Sequence, residues 1–312
     1  MSATRSIPLS AFELSAAVRE GRSYDAARLD RVLRVDEYHG LVEVQASTPW
    51  KAIAASLRPG DPRAAGTQTT MSTVGDSLAH NAAGPDGRPA VLHVESIAVV
   101  TPSGELRRAS RTAQRELFAL VAGGQGLFGA LYSVTLDIGS LSRAVNNAAA
   151  PEVISRVKAS GCPLRLLLPP DKLDAFIAEA HARCQEWRMA LGGGEARHTV
   201  PENDSFLRWA RREYAAVTLH LAEPAALGAV VRATQLRRSL IDAAIAQGGS
   251  FAVSCTPEAT RAQSEACYPQ LREFLAEKRR IDPGERLVNA WYRHYRTLFG
   301  SPCAVRWAHG AV

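Results

Sequence analysis

The sequence predicts an α+β fold organised in two units, on three observations. Segments of two-residue hydrophobic alternation mix with segments of helical period in no regular βαβ series. Two of the strand segments, Val94–Thr101 and Leu106–Ser110, flank the turn Pro102-Ser103-Gly104-Glu105 as a hairpin. Composition changes after Gly139, where Ser140–Pro151 is small and polar, so a boundary falls near residue 140 of a 312-residue chain, long enough for about two domains.

The elements follow in order. Phe12, Leu14, Ala17 and Val18 predict one helical face, ended by Gly21. Val42, Val44 and Ala46 alternate with Glu43 and Gln45 in a strand over Leu41–Ala46. Ser47 or Thr48 caps the next helix, with Pro49 at its first position, and Pro59-Gly60-Asp61-Pro62 ends it. Arg115–Ala122 reads as a short helix. Tyr132, Val134, Leu136 and Ile138 alternate with Ser133, Thr135 and Asp137 in a half-buried strand. In the second unit Leu164–Leu168 is a strand, closed by Pro169-Pro170. A helix then places Leu173, Phe176, Ile177, Ala180, Cys184 and Trp187 on one face, with Gly192-Gly193-Gly194 as its stop. Tyr214–Leu221 is a strand, Ala225–Gln247 a long helix stopped by Gly248-Gly249, and Ser250–Cys255 another strand. A last helical stretch starts at Thr256-Pro257, breaks at Pro269 and ends at Asp282-Pro283-Gly284.

Composition narrows the function. With 37 basic and 31 acidic residues the net charge is 37 − 31 = +6. The basic clusters Arg211-Arg212, Arg237-Arg238 and Lys278-Arg279-Arg280 lie in helical patterns without the interleaved aromatics of a nucleic-acid platform. No nucleic-acid partner is expected, and no membrane partner, because no apolar run approaches the roughly 20 residues of a span. Met1–Glu20 has no apolar signal core, so a cytoplasmic protein is expected. Cys162, Cys184, Cys255, Cys267 and Cys303 are widely spaced and fit reduced thiols; no ligand spacing supports a metal.

Residues Met71–Ile138 carry most of the functional signal. They open with Thr73-Val74-Gly75-Asp76-Ser77-Leu78-Ala79-His80-Asn81-Ala82-Ala83-Gly84 and close with Gly123-Gly124-Gln125-Gly126-Leu127-Phe128-Gly129-Ala130. Small residues let backbone or a flat ligand approach where a Cβ would collide. Gly124 to Gly129 matches G-x-G-x-x-G, but here a helix precedes and a strand follows. That is the reverse of a Rossmann dinucleotide site, so an NAD-dependent reading fails on element order. On pattern alone, each loop is either a tight turn or a ligand-facing surface.

Taken together, these segments resemble the FAD-binding PCMH-type domain of the vanillyl-alcohol oxidase superfamily, over roughly Leu29–Ile138. The residues that carry it are Thr73-Val74-Gly75, Ser77, Asn81, Gly84, Ser103-Gly104-Glu105, Glu116-Leu117-Phe118, Gly123, Gly124, Gly126 and Gly129. Upstream, Leu29–Leu33 and Val42–Ala46 add to it. Tyr214–Leu221, Cys267–Gln270, Lys278–Pro283 and Trp291–Tyr295 look like the rest of one bacterial flavoprotein oxidoreductase branch. The resemblance implies an FAD-binding domain at 1–140 with a shortened first subdomain. A cap (substrate) domain of α/β build follows at 141–312, its C-terminal segment returning to the flavin domain.

FAD is the cofactor so implied, with Thr73, Val74, Gly75, Asp76, Ser77, Ala79, Asn81 and Gly84 approaching it in the first loop and Gly124, Gly126, Gly129 and Ala130 in the second. Tyr268, Lys278, Tyr292 and His294 are the candidates to act on a substrate oxygen. The chain departs from the family in several places. Only 28 residues precede Leu29, so the family's first pyrophosphate loop is compressed. Asp76 stands at a usual glycine and would carry charge toward a diphosphate unless it turns away or Arg88 pairs with it. Ala83 replaces a usual histidine, and Gly192–Gly194 and Phe251–Cys255 replace more polar, aromatic stretches. Two functions are compatible with this pattern. One is an FAD-dependent oxidoreductase taking hydride from a small alcohol- or sugar-like substrate. The other is a degenerate, non-catalytic relative that acts as a binding or partner protein without flavin, as a homo-oligomer or with a companion chain.

Overall fold

The computed structural model describes residues 5–57, 73–84, 86–147, 152–155, 163–222 and 228–300. Pro59-Gly60-Asp61-Pro62, Met71, Pro151, Cys162, Ala225 and Cys303 lie outside them. The fold is α+β, built on two five-stranded antiparallel sheets.

The first sheet has the order β1-β2-β5-β3-β4. Its strands are β1 (Val32–Asp36), β2 (Leu41–Gln45), β3 (Val94–Val100), β4 (Leu106–Ser110) and β5 (Ala130–Asp137). The expected hairpin is β3–β4, and β5 lies between β2 and β3. Strand β1 escaped the sequence reading because Val-Leu-Arg-Val-Asp does not alternate. It is an edge strand, and Val32 and Val35 are exposed. Helix α1 (Ala11–Arg19), capped by the Ser10 hydroxyl, buries Leu14, Ala17 and Val18. Phe12 is 78% exposed, because two residues turn a helix by roughly 200° and carry it away from the Leu14 face. Helices α2 (Trp50–Leu57), α3 (Val74–Ala79) and α4 (Arg115–Val121) complete this unit.

The polar stretch after Gly139 is helix α5 (Ile138–Asn147). The Asp137 carboxylate caps it by accepting from the Ser140 amide at 2.6 Å. Ile138, Leu141 and Ala144 share its inner face, with Leu141 and Ala144 buried. That three-residue spacing was hidden by the small polar residues between them.

The second sheet has the order β10-β7-β9-β8-β6. Its strands are β6 (Glu152–Ser155), β7 (Leu164–Leu168), β8 (Ala190–Thr199), β9 (Tyr214–Ala222) and β10 (Ser250–Phe251). Leu164, Leu166, Leu168, Val217, Leu219 and Leu221 form its buried face with helices α6 (Leu173–Glu186) and α7 (Ala229–Ala246). Gly192–Gly194 does not stop α6, which ends at Glu186; the glycines lie inside β8. A Cβ on Gly194 would fall 3.1 Å from Ile154 and 3.2 Å from Leu219, so glycine suits the close strand packing there. Strand β10 is shorter than expected. After the Ala252 amide bonds to Arg165, the chain turns, and Cys255 N–H and the Thr256 hydroxyl both donate to Ala252. The next helix, α8 (Arg261–Cys267), starts at a Thr260–Gln263 capping box instead of Thr256. Helices α9 (Leu271–Ile281) and α10 (Ala290–Phe299) then carry the chain back to the first unit. Lys278 Nζ donates to the Leu127 carbonyl at 3.0 Å, and Asn289 Nδ2 to the Gln125 carbonyl at 2.8 Å. One continuous apolar core joins both sheets. Among the described residues no helix is long and apolar enough to cross a membrane.

Candidate functional site

The two small-residue loops are bonded to each other. Gly123 N–H donates to the Leu78 carbonyl and Gln125 N–H to that of Ala79, both at 2.8 Å. What each loop offers a ligand differs from position to position. At the start of α3, the Val74 amide donates to Thr48 at 3.1 Å, that of Gly75 to Ala46 at 2.7 Å and that of Asp76 to the Thr73 hydroxyl at 3.2 Å. A Cβ on Gly75 would lie 2.6 Å from the Ala46 carbonyl oxygen. This glycine and these amides therefore seat α3 on the end of β2, and Thr73–Ser77 presents them to protein acceptors. Asp76 is exposed, and Arg88 Nε sits 4.0 Å from Asp86 instead.

In the second loop a Cβ on Gly124 would run into the Leu120 carbonyl, and one on Gly129 into Val99. Both are packing positions, and Ala130 is buried where β5 begins beside Val100. Gly126 is different: its φ is +71°, and no atom lies within 4 Å of where its Cβ would stand. It faces open space.

A cavity of about 300 Å³ separates the loop His80–Gly87 from the outer face of the second sheet. On the loop side it is floored by small residues, among them Ala82, Ala83, Gly84 and Gly123. His93 supports that loop from behind, with a Cβ on Gly84 reaching its ring at 3.1 Å. The buried His93 ring meets Ser140 Oγ at 2.8 Å and Asp86 at 3.2 Å. Burial alone would raise the Asp86 carboxyl, but the His93 bond and charge, with Arg88, outweigh it and hold it below its ordinary value.

Asn81 joins the two units at the cavity edge. Its φ of 43° is left-handed, where asparagine is tolerated. Its Nδ2 donates to Glu202 at 3.0 Å and Ser205 at 3.1 Å, and its carbonyl accepts from Trp209 Nε1. Burial pushes the Glu202 carboxyl up, against the hydrogen bonds it accepts from Ser205 and Asp204.

The sheet side is polar, and its pattern follows from register. Glu195 of β8 and Arg165 of β7 both pair with Thr218 of β9, so the three stand in one row across the sheet. Arg197 pairs with Ala216 in one flanking row, and His220 with Gly193 in the other. Of these seven, all but Gly193 line the cavity. Arg197 Nε lies 3.8 Å from Glu195. Among the described residues, three that line the cavity bury a polar atom with no hydrogen-bond partner: Asn81 Oδ1, Arg165 Nε and His220 Nδ1. Unmet groups of this kind are costly unless something else meets them.

The sequence-derived catalytic candidates lie elsewhere. Tyr268 is fully buried and its hydroxyl donates to the Phe251 carbonyl; burial raises its pKa. Lys278 is paired with Asp282 in the core, and burial lowers its pKa against that pairing. The Tyr292 hydroxyl donates to Glu285 at 3.0 Å. His294 packs edge-on against Tyr295, and burial lowers its pKa. None of the four lines the cavity. The sequence reading missed Arg165, Glu195, Arg197, Thr218 and His220. Their one signal is polarity on alternate positions of otherwise apolar strands.

Residues 10–110 match the family model of an FAD binding domain. Over that stretch the first unit is similar to an FAD binding domain. The match runs from α1 through β4 and includes the His80–Gly87 floor of the cavity. No curated protein matches the chain. The residues present leave room for the flavin ring of the FAD that members of that family bind. The floor is built of small residues with no room for more: a Cβ on Gly84 would lie 3.1 Å from His93, and one on Gly123 3.2 Å from Asn81.

Proposed function

We propose that the chain is an FAD-dependent oxidoreductase whose reaction takes place in the cavity between the FAD-binding domain and the second sheet. The observation that carries this reading is the polar row Arg165–Thr218–Glu195, with His220 beside it, facing the small-residue floor. The backbone of Asn81–Gly84 and Gly123 would hold the ring. When bound, FAD supplies the acceptor for a hydride from a small alcohol-like substrate. The chain's own groups do the rest. His220 and Thr218 both line the cavity; His220 would take the hydroxyl proton, and Thr218 would orient that hydroxyl. Leu207 and Trp209 close the side of the cavity against water.

A second reading, a binding protein without flavin, is favoured by the start of α3, where protein acceptors take the amides that a diphosphate would use. Absorption spectra of the purified protein, before and after added FAD, separate the two. A flavin spectrum near one equivalent supports the oxidoreductase. A colourless protein that takes up no FAD rejects it, and size-exclusion mass then tests for a homo-oligomer or a companion chain.

A further inference from the structure

Asp86, His93 and Ser140 stand in one hydrogen-bonded line beside the flavin floor. Asp86 accepts from the Arg88 amide at 3.1 Å, which orients its carboxylate, and meets His93 Nε2 at 3.2 Å. His93 Nδ1 meets Ser140 Oγ at 2.8 Å. The direction of each bond follows from charge. The Asp86 carboxyl is held below its ordinary value, so at neutral pH it is ionised and only accepts. Nε2 therefore carries a proton, and in the neutral ring Nδ1 keeps its lone pair for the Ser140 hydroxyl. A serine hydroxyl thus donates to a base that a carboxylate orients from the far side. That is the arrangement that activates a nucleophile, and it is recognised by roles, whichever ring nitrogen serves.

Burial divides the parts as such chemistry requires. The His93 side chain is 0% exposed and that of Asp86 9%, so the ring is locked and shielded. Ser140 is half-buried and lines a second cavity, of about 590 Å³. Its amide is held by Asp137 at 2.6 Å in the first turn of α5, so the hydroxyl is presented from a fixed backbone. Arg143 follows one turn later on the same face of α5 and lines the same cavity. Leu173, Ala196, Val200 and Ala215 give that cavity an apolar wall.

We propose that Ser140 is a nucleophile and that the second cavity hydrolyses esters of short acyl groups. The activity is separate from the flavin site and needs no flavin. Ser140 Oγ bonds to the acyl carbon while its proton passes to His93 Nδ1, and Asp86 stabilises the imidazolium through Nε2. Arg143 meets the oxygen of the tetrahedral intermediate. The ester C–O bond then breaks, and the proton on Nδ1 goes to the departing alkoxide. Water next gives a proton to Nδ1 and its oxygen to the acyl carbon. The Ser140–acyl bond breaks, the acid leaves, and the proton returns to Ser140.

The test uses the full chain, with p-nitrophenyl acetate as substrate and a fluorophosphonate as covalent probe, located by peptide mass. The wild type is expected to release nitrophenolate over many turnovers and to carry the phosphonate on Ser140. Ser140→Ala removes one half-buried oxygen. It should lose the label and about a hundredfold or more of the rate, with a melting temperature within a few degrees of the wild type. His93→Gln should lower the rate to a similar extent and slow labelling of the serine that remains. Ser142→Ala, about 200° round the helix, should change neither. A folded wild type left unlabelled at Ser140, or a Ser140→Ala variant that hydrolyses the ester as fast as the wild type, overturns the proposal. The three groups are then a brace for the loop and nothing more. Labelling without turnover overturns it too, because the hydrolytic half of the reaction is then missing. The Ser140 comparison decides the matter even if His93→Gln does not fold. Flavin content enters none of these outcomes, so the oxidoreductase reading stands or falls apart from them.

Discussion

Replacing Asp282 with asparagine tests whether the Lys278 pair is structural or chemical. The Lys278 side chain is 0% exposed and that of Asp282 2%. The carboxylate accepts from Lys278 Nζ, from the Arg286 amide at 3.0 Å and from the Leu287 amide at 2.9 Å. Burial would raise its pKa, but these bonds outweigh it and keep Asp282 ionised. Asparagine keeps one acceptor oxygen and turns an NH₂ toward donors, so at least one donor is orphaned and the buried ammonium loses its counter-charge. Breaking a buried pair from one side costs about 3–5 kcal/mol. At about 2–4 °C per kcal/mol for a chain of this order of size, the melting temperature should fall by roughly 6–20 °C. Because Lys278 also holds the Leu127 carbonyl, the second glycine loop should loosen and flavin content fall with it. The double variant Lys278→Met/Asp282→Leu removes both charges, and most of the lost stability should return. If that variant melts like the wild type and carries flavin but turns over nothing, Lys278 is a catalytic group and the structural account is wrong. A shift under about 2 °C for Asp282→Asn alone would also refute it.

Two further expectations rest on single features. Gly75→Ala puts a Cβ 2.6 Å from a backbone oxygen and should destabilise by roughly 1–3 kcal/mol in thermal unfolding. Gly126→Val sets its Cβ where no atom lies within 4 Å and bears the strain of φ +71°, roughly 1–3 kcal/mol, yet should abolish flavin uptake if the cofactor crosses the space it faces. Equal flavin content in the wild type and the Gly126 variant would argue against that path. The pH dependence follows from Asp86. Its folded pKa lies below the ordinary value, so its contribution is present above the unfolded carboxylate range and is lost as pH falls through the folded value. The melting-temperature gap between wild type and Asp86→Asn should be widest near neutrality and shrink below about pH 4; a constant gap would contradict the assigned interaction.

Strand and helix periods made most of the fold legible, because half-buried strands such as β5 and amphipathic helices such as α6 declare their buried face locally. What escaped were elements whose signal is not local. Strand β1 is an edge with exposed valines, α5 hides a three-residue apolar spacing among polar residues, and β8 takes a glycine at 194 because Ile154 and Leu219 crowd it. The site was less legible than the fold. The first loop was recognised through Asn81 and Gly84, but Thr73, Gly75 and Gly124 turned out to meet protein where a ligand was expected. Tyr268, Lys278 and Tyr292 drew attention as chemically capable side chains, and each spends its polar atom inside the fold. Arg165, Thr218 and Glu195 are 23 to 53 residues apart in sequence and become neighbours only through strand register, which no local pattern encodes.

Asn81 shows why the site needs both units. The first unit provides its backbone and left-handed turn, whereas the second unit provides the partners of its amide, Glu202 and Ser205, and the Trp209 bond to its carbonyl. With Nδ2 committed to those partners, the second unit fixes which way the amide points. The Glu202 pKa is raised by burial, so its charge is held at a cost that the Asn81, Ser205 and Asp204 donors offset. Separating the units would therefore both open the cavity and free the Asn81 side chain to turn. It follows that the floor of the cavity is shaped by contacts made outside the segment that matches the FAD-binding family, and that recognition of that segment alone could locate the cofactor end of the site but not its substrate face.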